Sequence, residues 1–160
     1  MQKSKILVVL RHGEADFSFG NRTDFQRELN QNGLNQLSRI KELFEKTGVK
    51  LDKIVSSSSL RTTQTAEIIA SDLPDSIIQF SDEIYEAESS ILFEVISGVN
   101  DDINNLMIVG HNPGVSALVS TIADQGYLNM QPGMLVIIEL AIEKWSHLGI
   151  GTGIVREVMQ

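Results

Sequence analysis

Short apolar runs alternate along the chain with longer stretches whose apolar residues recur every three or four positions. Ile6 to Leu10 is apolar on both parities, which predicts a strand covered on both faces. It ends abruptly at Arg11-His12-Gly13-Glu14, and residues 14 to 29 are polar and aperiodic, as in a loop over a strand end. Leu34, Leu37, Ile40, Leu43 and Phe44 share one helical face, so a helix is expected from the Asn30 cap to about Thr47, stopped by Gly48. Strands are expected at Lys53 to Ser57, Ile77 to Phe80, Leu106 to Val109, Met134 to Leu140 and Ile154 to Val158, the last at a sheet edge. Further helices are expected from about Leu60 to Ser71 and Ser89 to Ser97, with Ser81 to Ala87 as a loop before the second. A last helix should run to about Ala123, capped by Asn112 with Pro113 in its first position. Strands alternating with helices predict a three-layer α/β/α sandwich with a mostly parallel central sheet. No repeat, linker or low-complexity tract divides residues 1–160, so a single domain is expected.

Composition narrows the partners more than the fold. Lys and Arg number 13 against 21 Asp and Glu, a net charge of −8, which disfavours a general nucleic-acid surface. Cysteine is absent, so disulfides, thiolate nucleophiles and cysteine metal sites are excluded. The start carries no convincing signal peptide, and no run approaches the roughly 18 apolar residues of a spanning helix. The expectation is a cytoplasmic protein without membrane contacts.

Against that acidic background, basic residues converge. Arg11 and His12 follow the first predicted strand, Arg61 the second and His111 the fourth. Ligands of open α/β sheets collect beyond the carboxyl ends of the strands. Two arginines and two histidines on that rim would repel one another unless they hold an anion, and arginine forks match phosphoryl oxygens. Each residue also has an ordinary reading: His12 as a hydrogen-bonded structural group, Arg11 as a salt-bridge partner, His111 as a loop cap. Arg61 at a helix start opposes the dipole and is harder to explain structurally. Ser57 could donate into the site or cap locally, and Asn112 could orient His111 or cap its helix. His147 reads as a surface turn residue, and the histidine spacing makes a poor zinc site.

Leu10-Arg11-His12-Gly13-Glu14 resembles the signature of the histidine phosphatase, or phosphoglycerate mutase-like, superfamily. Ser56 to Ala66, with Arg61 before Gln64-Thr65-Ala66, resembles its second block. Val109-Gly110-His111-Asn112-Pro113-Gly114 resembles the third, in the form of the small SixA-type phosphohistidine phosphatases. Where the family often has Arg-x-Leu-Thr-x-x-Gly, this chain reads Arg27-Glu28-Leu29-Asn30-Gln31-Asn32-Gly33, with Asn30 still able to cap. The resemblance implies that His12 attacks phosphorus and becomes a transient phosphohistidine, while Arg11, Arg61 and His111 hold phosphoryl oxygens. Gly13, Ser57 and Asn112 join them as expected substrate-binding residues, and a backbone carbonyl near Gly13 could hold the second ring proton of His12. A general acid is expected at Glu86 or Glu14, with Glu86 preferred. No cofactor and no metal are expected. The expected substrate is phosphohistidine on a protein; the alternatives are a small phosphomonoester, or a non-catalytic phosphoryl-binding or scaffold role.

Overall fold

The computed structural model describes residues 4–17 and 20–160. Residues 1–3 and 18–19, which belong to the start of the chain and to the expected 14–29 loop, lie outside it. Strand β1 (Lys5–Arg11) leads to helix α1 (Gln31–Glu45), then β2 (Lys53–Ser57), α2 (Leu60–Ile69), β3 (Ile78–Ser81), α3 (Ser89–Ser97), β4 (Asn105–Gly110), α4 (Gly114–Ala123), β5 (Leu135–Leu140) and β6 (Gly153–Met159). The sheet order is β3-β2-β4-β1-β5-β6. β1, β2, β3 and β4 are parallel; β5 runs against β1 and β6 against β5, so β5 is the one reversed strand.

The continuous apolar runs are explained by burial on both faces. Leu7 and Val9 enter one core with Leu92, Ile96, Leu118 and Ile122 from α3 and α4. Val8 and Leu10 enter the other with Leu37, Ile40, Phe44, Ala66 and Ile69 from α1 and α2. Alternate side chains thus serve opposite layers, and each buried Leu or Ile contributes about 1.5–3 kcal/mol. The side chain of Asn30 accepts from the Gly33 amide, as an N-cap should.

One expected cap is corrected. α4 begins at Gly114 with Pro113 in the cap position, and Asn112 accepts no backbone N–H of the helix. Its Oδ1 instead accepts from the Ser116 hydroxyl at 2.5 Å, and its Nδ2 donates to the Met130 carbonyl at 2.8 Å and Asn129 Oδ1 at 3.2 Å. The amide is spent on tying the helix start to the 129–130 segment.

The connections fix the position of the rim. Adjacent strands β1 and β4 feed helices packed on opposite faces, which opens a crevice at their carboxyl ends, the switch point where open α/β sheets bind ligands. Arg11 pairs with Gly110 in register, so His12 and His111 emerge side by side.

Candidate active site

His12 is 7% exposed, His111 4% and Arg61 3%, so three polar groups are buried together at the crevice. Their hydrogen bonds define both tautomers. His12 Nδ1 lies 2.7 Å from the Gly13 carbonyl oxygen. A carbonyl only accepts, so Nδ1 carries the proton and Nε2 keeps its lone pair. Arg61 Nε donates to that Nε2 at 3.3 Å. Arg61 Nη2 also donates to His111 Nδ1 at 3.4 Å, which leaves the proton on His111 Nε2, donated to Ser57 Oγ at 2.8 Å. The imidazole centroids are 5.3 Å apart.

The backbone around His12 is held from α2. The Gly13 amide donates to Thr65 Oγ1 at 3.2 Å, and Thr65 Oγ1 donates to the Arg61 carbonyl at 2.7 Å. Both polar backbone groups of Gly13 are therefore engaged inside the protein. Its carbonyl holds the His12 ring and its amide is taken by α2. A Cβ there would sit 3.0 Å from Leu37 Cδ1 and 3.1 Å from the Gly33 carbonyl, so α1 presses on this turn.

Arg11 stands beside this group without a hydrogen bond to it. Its Nη1 donates to the Met130 carbonyl at 2.9 Å, the acceptor shared with Asn112, and its buried Nε has no partner. Arg11 directly precedes His12 in the chain, and an unsatisfied guanidinium donor suits an oxyanion. Burial, and then the charge of Arg61, lower the Arg11 pKa. The Asn112 side chain makes its contacts with Ser116, Asn129 and Met130.

Of the two carboxylates expected to act as an acid, Glu14 is tied to the α1 entry: its Oε1 accepts from Asn30 Nδ2 at 3.2 Å. Glu86 is exposed and has a left-handed φ of 51°. Sequence reasoning passed over two residues that do reach the site. Asp24, in a short 3₁₀ turn of the 14–29 segment, accepts from Arg61 Nη1 through its carbonyl at 2.7 Å and from Nη2 through Oδ2 at 3.2 Å. Tyr85 donates its hydroxyl to the same Oδ2 and packs edge-on to His111 with centroids 5.4 Å apart. The available signal for Asp24 was Arg61 itself: a cation at the positive end of a helix calls for a carboxylate.

Charge states follow from burial. Desolvation, opposed by the Gly13 carbonyl and reinforced by Arg61 and Arg11, lowers the His12 pKa to about 4. Desolvation, then His12 and Arg61, lower that of His111 to about 3. Both rings are neutral at neutral pH. Desolvation works against the Asp24 carboxylate, but hydrogen bonds from Tyr85 and Arg27 and the charge of Arg61 hold it below the ordinary range. Burial, then the Asp24 hydrogen bond, push Tyr85 up to about 12.

These shifts predict acid sensitivity. The unfolded chain protonates both histidines near ~6.5 while the native state resists. Between about pH 6.5 and 4 the unfolded state binds more protons, so stability falls as pH falls, by up to about 1.4 kcal/mol per pH unit for each histidine. Urea denaturation should show unfolding free energy constant above pH 7 and clearly lower at pH 5. A flat profile from pH 7.5 to 5 would contradict the assignment of two buried neutral rings.

A model of the histidine phosphatase superfamily (branch 1) matches residues 7–89, the stretch that carries His12 and Arg61. The chain belongs to that superfamily. Its fold is shared by a SixA protein from Agrobacterium tumefaciens, 21% identical, covering 98% of this chain and 97% of that one with a TM-score of 0.83. The protein histidine phosphatase SixA complexed with tungstate is 19% identical, with 97% and 96% covered and a TM-score of 0.81. The mycobacterial glucosyl-3-phosphoglycerate phosphatase Rv2419c is more distant, 14% identical, with 96% and 97% covered and a TM-score of 0.67. Among the described residues no helix is long and apolar enough to cross a membrane.

Proposed function

We propose that this member of the superfamily is a phosphohistidine phosphatase that works through a covalent intermediate on His12. The observation that carries the reading is the His12 tautomer: Nδ1–H is held by the Gly13 carbonyl, and the Nε2 lone pair faces Arg61. In the first step Nε2 forms a bond to phosphorus as the bond to the leaving group breaks, and the electron pair departs with that group. In the second, a water oxygen bonds to phosphorus, the N–P bond breaks, and its electron pair returns to Nε2; the water proton goes to solvent. Arg11 and Arg61 supply fixed positive charge to the equatorial oxygens, so the proposed cycle routes no step through a metal ion. His111, neutral and carrying its proton on Nε2, borders the same space through Arg61 and Ser57.

Protein phosphohistidine is the favoured substrate on grounds of leaving-group chemistry. Asp24, the carboxylate in contact with Arg61, is held ionised and is a poor proton donor. A protonated imidazole leaves as a neutral ring, whereas an alkoxide needs an acid at the moment of bond breaking. The likeness to SixA proteins supports this reading. The likeness to a glucosyl-3-phosphoglycerate phosphatase keeps a small phosphomonoester as the rival, and that substrate would call on Glu86.

The test measures phosphate release from a phosphohistidine protein and from alkyl phosphates, with wild type and Glu86→Gln. Phosphohistidine should be turned over with the higher kcat/KM, and Glu86→Gln should change it less than about threefold. The alkyl phosphate rate should fall about tenfold or more, equivalent to roughly 1.4 kcal/mol. Preference for the alkyl phosphate would transfer the assignment to the small-molecule class. Absence of turnover on both would leave only the binding role.

A further inference from the structure

Arg61 is an uncommon residue to bury at the first turn of a helix. It sits at the positive end of α2 beside two neutral imidazoles, 3% exposed, and its charge needs a partner. Among the described residues, the carboxylate in ion-pair contact with it is Asp24, whose side chain is 40% exposed. The geometry of that contact is directional. The Asp24 carbonyl takes Nη1 at 2.7 Å and Oδ2 takes Nη2 at 3.2 Å. Of the three N–H donors left over, Nε and the second hydrogen of Nη2 face His12 Nε2 and His111 Nδ1. One edge of the fork is anchored, and the other is aimed at the two lone pairs.

The anchor is itself braced. Arg27 Nη1 donates to Asp24 Oδ1 at 3.1 Å, and the Tyr85 hydroxyl donates to Oδ2. Phe25 packs edge-on to Tyr85 with centroids 5.0 Å apart. The 3₁₀ turn from the segment after β1 is thereby clasped to the segment after β3, across Arg61.

We propose that Asp24 is a positioning residue: braced by Tyr85 and Arg27, it fixes the rotation of the Arg61 guanidinium so that its Nε/Nη2 edge faces the phosphorus attacked by His12. This rests on the proposed phosphoryl transfer and adds to it the residue that sets the aim of its principal cation. Arg61 keeps its charge without Asp24 but loses its direction. Misdirection of a group that must meet the transition state lowers kcat far more than it weakens ground-state binding.

Asp24→Asn, with nearly the same shape, should lower kcat about 10²-fold while KM and the inhibition constant of inorganic phosphate change less than about threefold. Tyr85→Phe should give the same split at smaller size. In an Arg61→Lys background, which has no fork edge to aim, Asp24→Asn should cost less than about twofold in single-turnover phosphoenzyme formation. An activity-independent readout comes from ¹⁵N NMR of the free protein. His12 Nε2 and His111 Nδ1 should both move downfield in Asp24→Asn as they lose the Arg61 hydrogen bonds.

Unmoved imidazole shifts, or losses that multiply in the Arg61→Lys background, would overturn the proposal. So would parallel collapse of kcat, phosphate binding and thermal stability, the pattern of a merely structural residue. If wild type fails to turn over any phosphorylated substrate, the proposed function falls, whereas the NMR shifts still decide whether Asp24 aims Arg61.

Discussion

Replacing His12 with asparagine should abolish turnover and leave the protein folded. The Asn amide can place an N–H close to the position of Nδ1 and donate to the Gly13 carbonyl, so the local hydrogen bond at 2.7 Å has a substitute. Nothing replaces the Nε2 lone pair, which among the described residues accepts from Arg61 Nε at 3.3 Å. The nucleophile is thus removed with the loss of the outer ring atoms but no change in charge, because the native ring is already neutral. A loss of about 10⁴-fold or more in kcat is expected, the scale found when a covalent nucleophile is deleted. Arg11 and Arg61 remain, so inorganic phosphate or tungstate should still bind. Rapid-quench experiments should show an acid-labile phosphoenzyme in wild type and none in the variant. Turnover within tenfold of wild type would remove His12 from the covalent role, and a large drop in melting temperature would mean that the ring is mainly structural.

The residues that the sequence exposes most clearly are those whose role is written in local pattern. β1 and β4 are legible because both their faces are buried, which forces unbroken apolar runs. His12, Arg61 and His111 are legible because the rule that ligands gather at strand ends turns three separate positions into one rim. Asp24 lies in a segment without periodicity, and its partner is 37 residues away on a helix start. Nothing local distinguishes it from Asp16, which is exposed in the same segment. Tyr85 directly precedes Glu86, the expected acid, yet the side chain facing His111 is the phenol. Asn112 illustrates the opposite error. Asn-Pro before an apolar stripe is a sound cap signal, but the amide has stronger tertiary partners at Ser116 and Met130. Local propensity yields there to contacts that link α4 with the segment before β5.

Gly114→Ala should be among the most damaging single-methyl additions in the chain. A Cβ at this first residue of α4 would lie 2.1 Å from the Ala87 carbonyl oxygen and 3.3 Å from its carbon. The obstacle is backbone, so no rotamer change relieves it. Either the start of α4 or the turn after β3 must move. The first carries His111, whose carbonyl accepts from the Val115 amide at 3.0 Å. The second carries Tyr85 and Glu86, and with them the brace on Asp24. Overpacking of this kind costs about 1–3 kcal/mol where side chains can adjust. With backbone against backbone the upper end, about 3 kcal/mol, is expected, a fall in melting temperature of about 6–12 °C for a protein of this size. Gly126→Ala is the control, since a Cβ there meets nothing within 4 Å. Equal melting temperatures for the two variants would show that the contact between α4 and the Ala87 turn is looser than the structure gives it. If Gly114→Ala melts early and also loses kcat at temperatures where it is folded, the turn that carries Tyr85 and the helix that follows His111 act on the site as one packed unit.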